Sequence, residues 1–358
     1  FVQPYFGLGN SLQTAQAAGG AAGPGGWVEL ARTSNSSLPD VTGLADKRYL
    51  MFLNFQESNN SRPAPAIRIN GDTGSNYARR GNANGLTDYT NTSQTQIMFG
   101  GQPEGDTTTV PYLTVGYIAN LAGKEKLAMC HNALSYQLGV GGSDPLERRD
   151  TVFKWANTSD PIDQLTITNL LSGSFTTNGE LIVLGWDPAD THTTNFWEEL
   201  ASVELGADGD NLSSGTISAK KYLWVQAAIM TSSAGTNVKQ RITFNNDTGS
   251  NYAKRSSYQG GSDSTSTSSA YWEFADGSNN KGIAFLNFFI INNSANEKLC
   301  IGHTVMGDTA GAGTIPKREE AVAKWANTSS QITEIDIDNT LGSIDYKAGS
   351  IIKVWGSD

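Results

Sequence analysis

Short segments of apolar, β-branched and aromatic residues run along the whole chain. The first half contains YLMFLNF, AIRIN, YLTVGYIANL and LTITNLL, and the second half contains YLWVQAAIM, RITFN, IAFLNFFIIN and ITEIDIDNTL. In ITEIDID, apolar and polar residues alternate as in a half-buried strand. Because Gly, Asn and Ser separate these segments, the pattern predicts an all-β fold of short antiparallel strands joined by turns.

Two segments depart from this alternation. RRDTVFKWA (residues 148–156) and REEAVAKWA (residues 318–326) combine charged residues with helix-forming ones. Each is predicted to form one or two helical turns.

The same segments recur in the same order about 170 to 175 residues later, which indicates a tandem duplication. The matching pairs are KRYLMFLNF and KKYLWVQAA at Lys47 and Lys220, EKLAMCH and EKLCIGH at Glu125 and Glu297, and KWANTS at Lys154 and Lys324. We therefore predict two tandem antiparallel β-sandwiches of jelly-roll-like type. They comprise residues 27–188 and 197–358, with a polar linker at 189–196.

Residues 1–26 have no counterpart in the second half. Their Gly- and Ala-rich composition predicts a flexible, extended N-terminal arm. Phe1, Tyr5 and Phe6 place three aromatic rings at its start. The arm is either a frayed terminus or a tethered peptide that docks on a neighbouring chain and so serves as an assembly arm.

Composition excludes several classes of function. The net charge is −10 and 17% of the 358 residues are charged, so nucleic acid is not an expected partner, because phosphate binding needs clustered Lys and Arg. No apolar segment approaches the length of about 18 residues that a transmembrane helix needs.

A nearly identical loop occurs once in each half, as NGDTGSNYARR from Asn70 and as NNDTGSNYAKR from Asn245. Asp-Thr-Gly is also the motif of aspartic proteases, but the residues on either side do not fit that family. Calcium is a second interpretation, because oxygen-bearing side chains alternate in each loop. With one Asp per loop, such a calcium site would be poor in carboxylates. The residues concerned are Asn70, Asp72, Asn76, Asn245, Asp247 and Asn251.

Turn chemistry is the preferred interpretation of both loops. Asp72 and Asp247 can accept hydrogen bonds from backbone amides two residues later, and the residues before them tolerate positive φ. The following tyrosines can then pack against the sheet.

This motif, followed about a hundred residues later by a strand ending in VLG or VWG, resembles that of small virion structural proteins of tailed bacteriophages, of decoration or tail type. The resemblance covers both halves. It implies a virion component with a β-sandwich fold and no catalytic residues. The tandem duplication departs from the single unit that is more usual in that family.

Other residues give no enzyme signature. Cys130 and Cys300 lie in the corresponding segments EKLAMCH and EKLCIGH and are predicted to be buried, unpaired thiols. His131 and His303 are also equivalent and are predicted to be surface or capping residues, while His192 falls in the linker. The spacing of His and Cys does not match a zinc site. Trp155 and Trp325 are predicted to be core residues, with a sugar-stacking platform as the alternative.

The resemblance, together with the lack of an enzyme signature, predicts a non-enzymatic structural protein of a phage-like virion, either a capsid decoration or a tail appendage. Its expected partners are other virion proteins and copies of itself, without cofactors apart from the calcium alternative. A pair of carbohydrate-binding or adhesion modules that recognise host-surface glycans is the second hypothesis. A hydrolase on the same scaffold is a third and weaker one.

Overall fold

The computed structural model describes residues 26–60, 62–101, 109–142, 145–190, 194–231, 240–274, 283–307, 312–313, 315–339 and 345–358. Within these ranges the chain consists of strands and connecting turns without helices, so that it has no helix able to cross a membrane. The prediction of an all-β fold with antiparallel sandwiches is therefore confirmed. The aromatic residues of the arm, His192 and part of the predicted linker lie outside the described residues.

The first sandwich packs a large antiparallel sheet against a small one. The described strands of the large sheet are, in spatial order, β1 (Val28–Ser34), β13 (Glu180–Trp186), β3 (Tyr49–Asn60), β8 (Pro111–Ala119), β9 (Lys126–Ser135), β10 (Leu146–Trp155), β5 (Tyr77–Ala83) and β6 (Tyr89–Gln94), with β12 (Ser174–Phe175) beside β3. Those of the small sheet are β2 (Asp40–Thr42), β11 (Gln164–Asn169), β4 (Pro65–Ile69) and β7 (Ile97–Met98).

The second sandwich repeats this order of strands. Its large sheet contains β14 (Glu198–Glu204), β25 (Ile351–Ser357), β16 (Tyr222–Met230), β21 (Ile283–Ile291), β22 (Lys298–Met306), β23 (Lys317–Trp325), β18 (Tyr252–Tyr258) and β19 (Ser264–Ser269). Its small sheet contains β15 (Asn211–Ser213), β24 (Ile335–Asn339), β17 (Gln240–Phe244) and β20 (Trp272–Phe274). The strands thus divide between β13 and β14, in the region where the sequence repeat begins again.

Along the central strands of each large sheet, successive side chains point to opposite faces, and both faces are at least partly buried. In β3, Leu50 and Phe52 point into the core of the first sandwich, whereas Met51 and Leu53 belong to a separate apolar cluster. That second cluster also contains Trp197, Phe289 and Trp355 of the second sandwich. The outer faces of the two large sheets therefore pack on each other over part of their area, and we call this contact the junction.

The predicted helical turns at residues 148–156 and 318–326 are wrong. The first lies mostly in β10 and the second in β23, and each strand is hydrogen-bonded to neighbours on both sides. The charged residues of these segments either point to the junction or form ion pairs across strands. Pairing with strands on both sides therefore overrides the local helix propensity.

The outermost strands of both large sheets are irregular. Each of the four outer pairings, β1 with β13, β5 with β6, β14 with β25 and β18 with β19, contains a shift of register. The shifts in β1 and β14 occur at equivalent positions, between Glu29 and Ala31 and between Glu199 and Ala201. The duplication has therefore preserved these bulges.

Candidate functional site: twin loops, the junction and an open groove

The twin loops (residues 70–77 and 245–252) are closed by their aspartates. Asp72 accepts hydrogen bonds from the Gly74 amide at 2.7 Å, from the Asn76 side chain at 2.8 Å and from the Trp155 indole at 2.7 Å. Asn70 adopts a positive φ of 50°, as its place in the turn requires. Its side-chain oxygen accepts hydrogen bonds from two backbone amides near the start of β11.

The second loop repeats the same bonds. Asp247 accepts hydrogen bonds from the Gly249 amide at 2.8 Å, from the Asn251 side chain at 2.9 Å and from the Trp325 indole at 2.7 Å. Each carboxylate is therefore bound within its own sandwich, which differs from the shared pair of an aspartic protease.

Hydrogen bonding keeps both aspartates ionised. Burial alone would raise the pKa of Asp72, but the indole of Trp155, the amide of Asn76 and the Gly74 backbone together lower it. Burial would also raise the pKa of Asp247, but the equivalent set of donors together lowers it. A calcium ion at either loop would have to displace donors that already satisfy the carboxylate oxygens.

The tyrosines of the twin loops tie each turn to the strand before it. The Tyr77 hydroxyl accepts a hydrogen bond from the Ile69 amide and donates to the Ile69 carbonyl oxygen. Burial raises the pKa of Tyr77 to about 12. Trp155 and Trp325 are each 1% exposed. Both are therefore core residues, and their rings offer no surface on which a sugar could stack.

A polar cluster lies at the junction, where His131 and His303 meet with ring centroids 4.5 Å apart. His131 Nδ1 lies 2.7 Å from an oxygen of Asp150, and the buried Arg148 guanidinium contacts the other oxygen. Arg148 also binds Asp263 of the second sandwich at 2.9 Å. The bond between Arg148 and Asp263 joins the two sandwiches through charges that would otherwise be buried alone.

Sequence reasoning did not bring these histidines together. Their equivalence in the repeat was visible, but the packing of one sheet on the other was not.

Burial, with the neighbouring His131 as the next cause, lowers the pKa of His303 to about 3. The pKa of Asp150 is lowered, because its bonds to His131 and Arg148 outweigh the effect of burial.

Among the described residues, His131, Asp150 and His303 form the group whose ligand atoms lie close enough together, within 4.8 Å, to hold a cation. Both Asp150 oxygens are already engaged, one by His131 and one by the Arg148 guanidinium. A metal ion there would have to displace a buried arginine, and the cluster acts instead as an ion-paired contact of the junction.

The outer face of the first large sheet continues beyond the junction as an apolar groove of about 920 Å³, which we call the open groove. Its floor includes Leu127, Met129 and Val152, which are 58%, 52% and 51% exposed. Such a volume lies at the upper end of the range for ligand pockets, and an apolar surface of this kind marks a contact site.

Aromatic rings form one wall of the open groove. Tyr49 stacks on Trp186 with ring centroids 5.3 Å apart, and Trp27 lies 6.5 Å from Tyr117. Arg80, Lys154 and the polar residues 90–92 line its other side. The open groove therefore combines an apolar floor with hydrogen-bond donors at its rim.

Comparisons with known proteins identify no family for this chain. Neither the protein-family models nor the curated protein sequences gave a match. Among solved structures, domains LG4-5 of the mouse laminin alpha1 chain show 10% identity over 93% of this chain and 91% of that chain, with a TM-score of 0.18. Human GIVD cytosolic phospholipase A2 shows 7% identity over 79% of this chain and 33% of that chain, with a TM-score of 0.10. Neither similarity indicates a function for this chain.

Proposed function

We propose that the chain is a non-enzymatic structural protein of a phage-like virion, which decorates the capsid or forms part of a tail appendage. The open groove carries the assembly part of this proposal, because a broad apolar surface suits lasting contact with another protein. The virion part rests on the resemblance of the loop motif that begins at Asn70 and Asn245.

The junction supports a role in assembly, since it shows how the outer face of a large sheet is used in this protein. Leu299, Ile301 and Val322 of the second sandwich are buried there against the first. The same kind of face, left open in the first sandwich, suits contact with other virion proteins or other copies of the chain.

The location is tested by immunogold electron microscopy of phage particles that encode the chain, with antibodies raised against residues 27–358. Gold at one repeated location, on capsid faces, vertices or the tail, is the expected result. Unlabelled particles, with the chain present only in the soluble fraction of the lysate, would exclude a virion role.

The arm is tested separately by removing residues 1–26. The variant should still fold into both sandwiches and lose its incorporation into particles, because the arm would raise the effective concentration at a second contact. Incorporation at the level of the full chain would show that the arm does not anchor the protein.

Carbohydrate binding is the second candidate, and the Tyr49–Trp186 stack at the edge of the open groove favours it. Aromatic faces beside polar groups such as Asn91 suit the apolar face and hydroxyls of a sugar ring. A glycan array should then give binding that Tyr49→Ala abolishes. Tyr271→Ala, in the second sandwich and outside the groove, is the control. No signal across the array would exclude this candidate.

A further inference from the structure

Equivalent positions of the two large sheets differ sharply in exposure. Strand pairing places Met129 between Val152 and Tyr117 in the first sandwich. In the second it places Ile301 between Val322 and Phe289. Met129 and Val152 are 52% and 51% exposed, whereas Ile301 and Val322 are 3% and 1% exposed. The open groove is therefore the exposed counterpart of a surface that is buried in the second sandwich.

The first sandwich itself covers that surface in the second. Phe55, Leu113, Ala133 and Leu146 of the first sandwich join the apolar cluster of the junction. The Arg255 side chain donates to the Leu146 carbonyl oxygen at 2.7 Å across the contact. The junction is thus head-to-tail, because the two sandwiches contribute different ends of the same sheet face.

The second sandwich cannot cover the open groove of another copy in the same way. In the first sandwich, Leu53 lies between Val115 and Ile182 on the covering surface. The equivalent three residues of the second sandwich are Gln226, Asn287 and Lys353. Gln226 bonds to Asn287, and Lys353 pairs with Glu199. Covering an apolar floor with them would take these amides and this ion pair out of water, which an apolar covering surface avoids.

We propose that, in the unassembled chain, residues 1–9 occupy the chain's own open groove. Trp27 lines the groove and immediately precedes β1, just as Trp197 immediately precedes β14. The part of the chain before Trp197 is the first sandwich, and it covers the outer face of the second sandwich. The part of the chain before Trp27 is the arm. By analogy, the arm would cover the outer face of the first sandwich.

The chemistry of the arm fits the groove. Residues 1–9, FVQPYFGLG, contain five large apolar or aromatic side chains, and residues 1–25 contain no charged side chain. They can therefore cover an apolar floor without burying a charge. The arm would leave Arg80 and Lys154 solvated at the rim.

The length of the arm is also sufficient. A Gly-rich stretch of about 16 residues, such as 10–25, spans roughly 20–24 Å. The groove extends across seven strands, from β13 to β6, or roughly 29 Å at the usual strand spacing, so that this stretch reaches past its middle. A segment tethered at this distance has an effective concentration in the millimolar range, which favours its own groove over that of another copy. Docking of the arm in its own groove does not require the chain to be a virion protein.

The test is an engineered disulfide in the full chain. Tyr5→Cys is combined with Met129→Cys, and the control combines Tyr5→Cys with Ile283→Cys. Ile283 is 53% exposed on the large sheet of the second sandwich, which matches Met129 without belonging to the groove. The native Cys130 and Cys300 are buried, and burial raises the pKa of both thiols, so that they do not compete.

Mild oxidation should link Tyr5→Cys to Met129→Cys within one chain at least tenfold faster than it links the control pair, at a rate independent of protein concentration. Removal of residues 1–9 should also increase the fluorescence of a bound apolar dye at least twofold, and Met129→Lys in the shortened chain should reverse this increase. Equal rates for the two pairs, or links formed only between chains, would overturn the proposal. So would an unchanged dye signal.

Discussion

The two sandwiches share the hydrogen bonds that close their twin loops and differ in the exposure of their outer sheet faces. The twin loops make the same three bonds to Asp72 and to Asp247, including the indole bond of 2.7 Å in each. The outer sheet faces have diverged, because Leu127 is 58% exposed and its counterpart Leu299 is fully buried. The duplication therefore preserved the residues that close each sandwich and changed the residues that meet its surroundings.

The largest difference between the halves is expected at an equivalent lysine. Lys324 and its partner Glu297 are 0% and 2% exposed, and the Lys324 ammonium also binds the Gln137 carbonyl oxygen across the junction at 2.6 Å. In the first sandwich, Lys154 and Glu125 are 43% and 41% exposed. Removing one partner of a buried pair costs about 3–5 kcal/mol, whereas an exposed pair contributes about 1 kcal/mol or less.

Lys324→Ala should therefore lower the free energy of unfolding by about 3–5 kcal/mol, and Lys154→Ala by about 1 kcal/mol or less. Urea denaturation followed by tryptophan fluorescence measures both changes. Equal losses in the two variants would mean that the junction does not form in solution.

The twin loops should give equal effects. Asp72→Ala and Asp247→Ala each remove a charged acceptor of three hydrogen bonds and leave a buried indole N–H without its partner. Each should cost about 2–3 kcal/mol. Calorimetry compares the two, with Asp88→Ala as the control, because Asp88 forms an exposed pair with Arg80. A loss confined to one loop would contradict the structural equivalence of the halves.

The smallest expected effect is the pH dependence at the junction. The pKa of His303 falls to about 3 on folding, from an ordinary value of about 6.5. Between these values the unfolded chain binds the extra proton, so that stability is complete above about pH 6.5 and decreases as the pH falls. The charged and titratable groups that face His303 in the junction cluster are His131, Arg148, Asp150, Arg318 and Glu320.

From pH 7.5 to pH 5, this proton should cost about 2 kcal/mol of unfolding free energy. His303→Gln should flatten the profile in that range. Urea denaturation at several pH values measures the slope. If His303→Gln kept the full dependence of stability on pH, that dependence would arise from groups other than the His303 side chain.

Much of the fold could be predicted from local pattern. The alternation of residues such as Leu50 and Phe52 with Met51 and Leu53 is typical of a strand, and the Asp-Thr-Gly-Ser-Asn spacing predicted an Asp-closed turn that the structure contains. The indole partners of the two aspartates were not predicted, because each bond joins residues about 80 positions apart along the chain.

Other features depend on long-range packing that no local pattern contains. Met129 and Ile301 are both apolar strand residues, and only the packing of one large sheet on the other decides which is buried. The same packing brings His131 to His303. The segments at 148–156 and 318–326 form strands and not the predicted helical turns, because neighbouring strands pair with both of their edges.

The register shifts in the four outer pairings limit how copies of this chain can accumulate side by side. A bulged rim presents a twisted, interrupted row of amides and carbonyls, which a flat strand from a neighbouring molecule cannot follow. At these four rims, edge-to-edge pairing of chains into amyloid-like ribbons is therefore disfavoured.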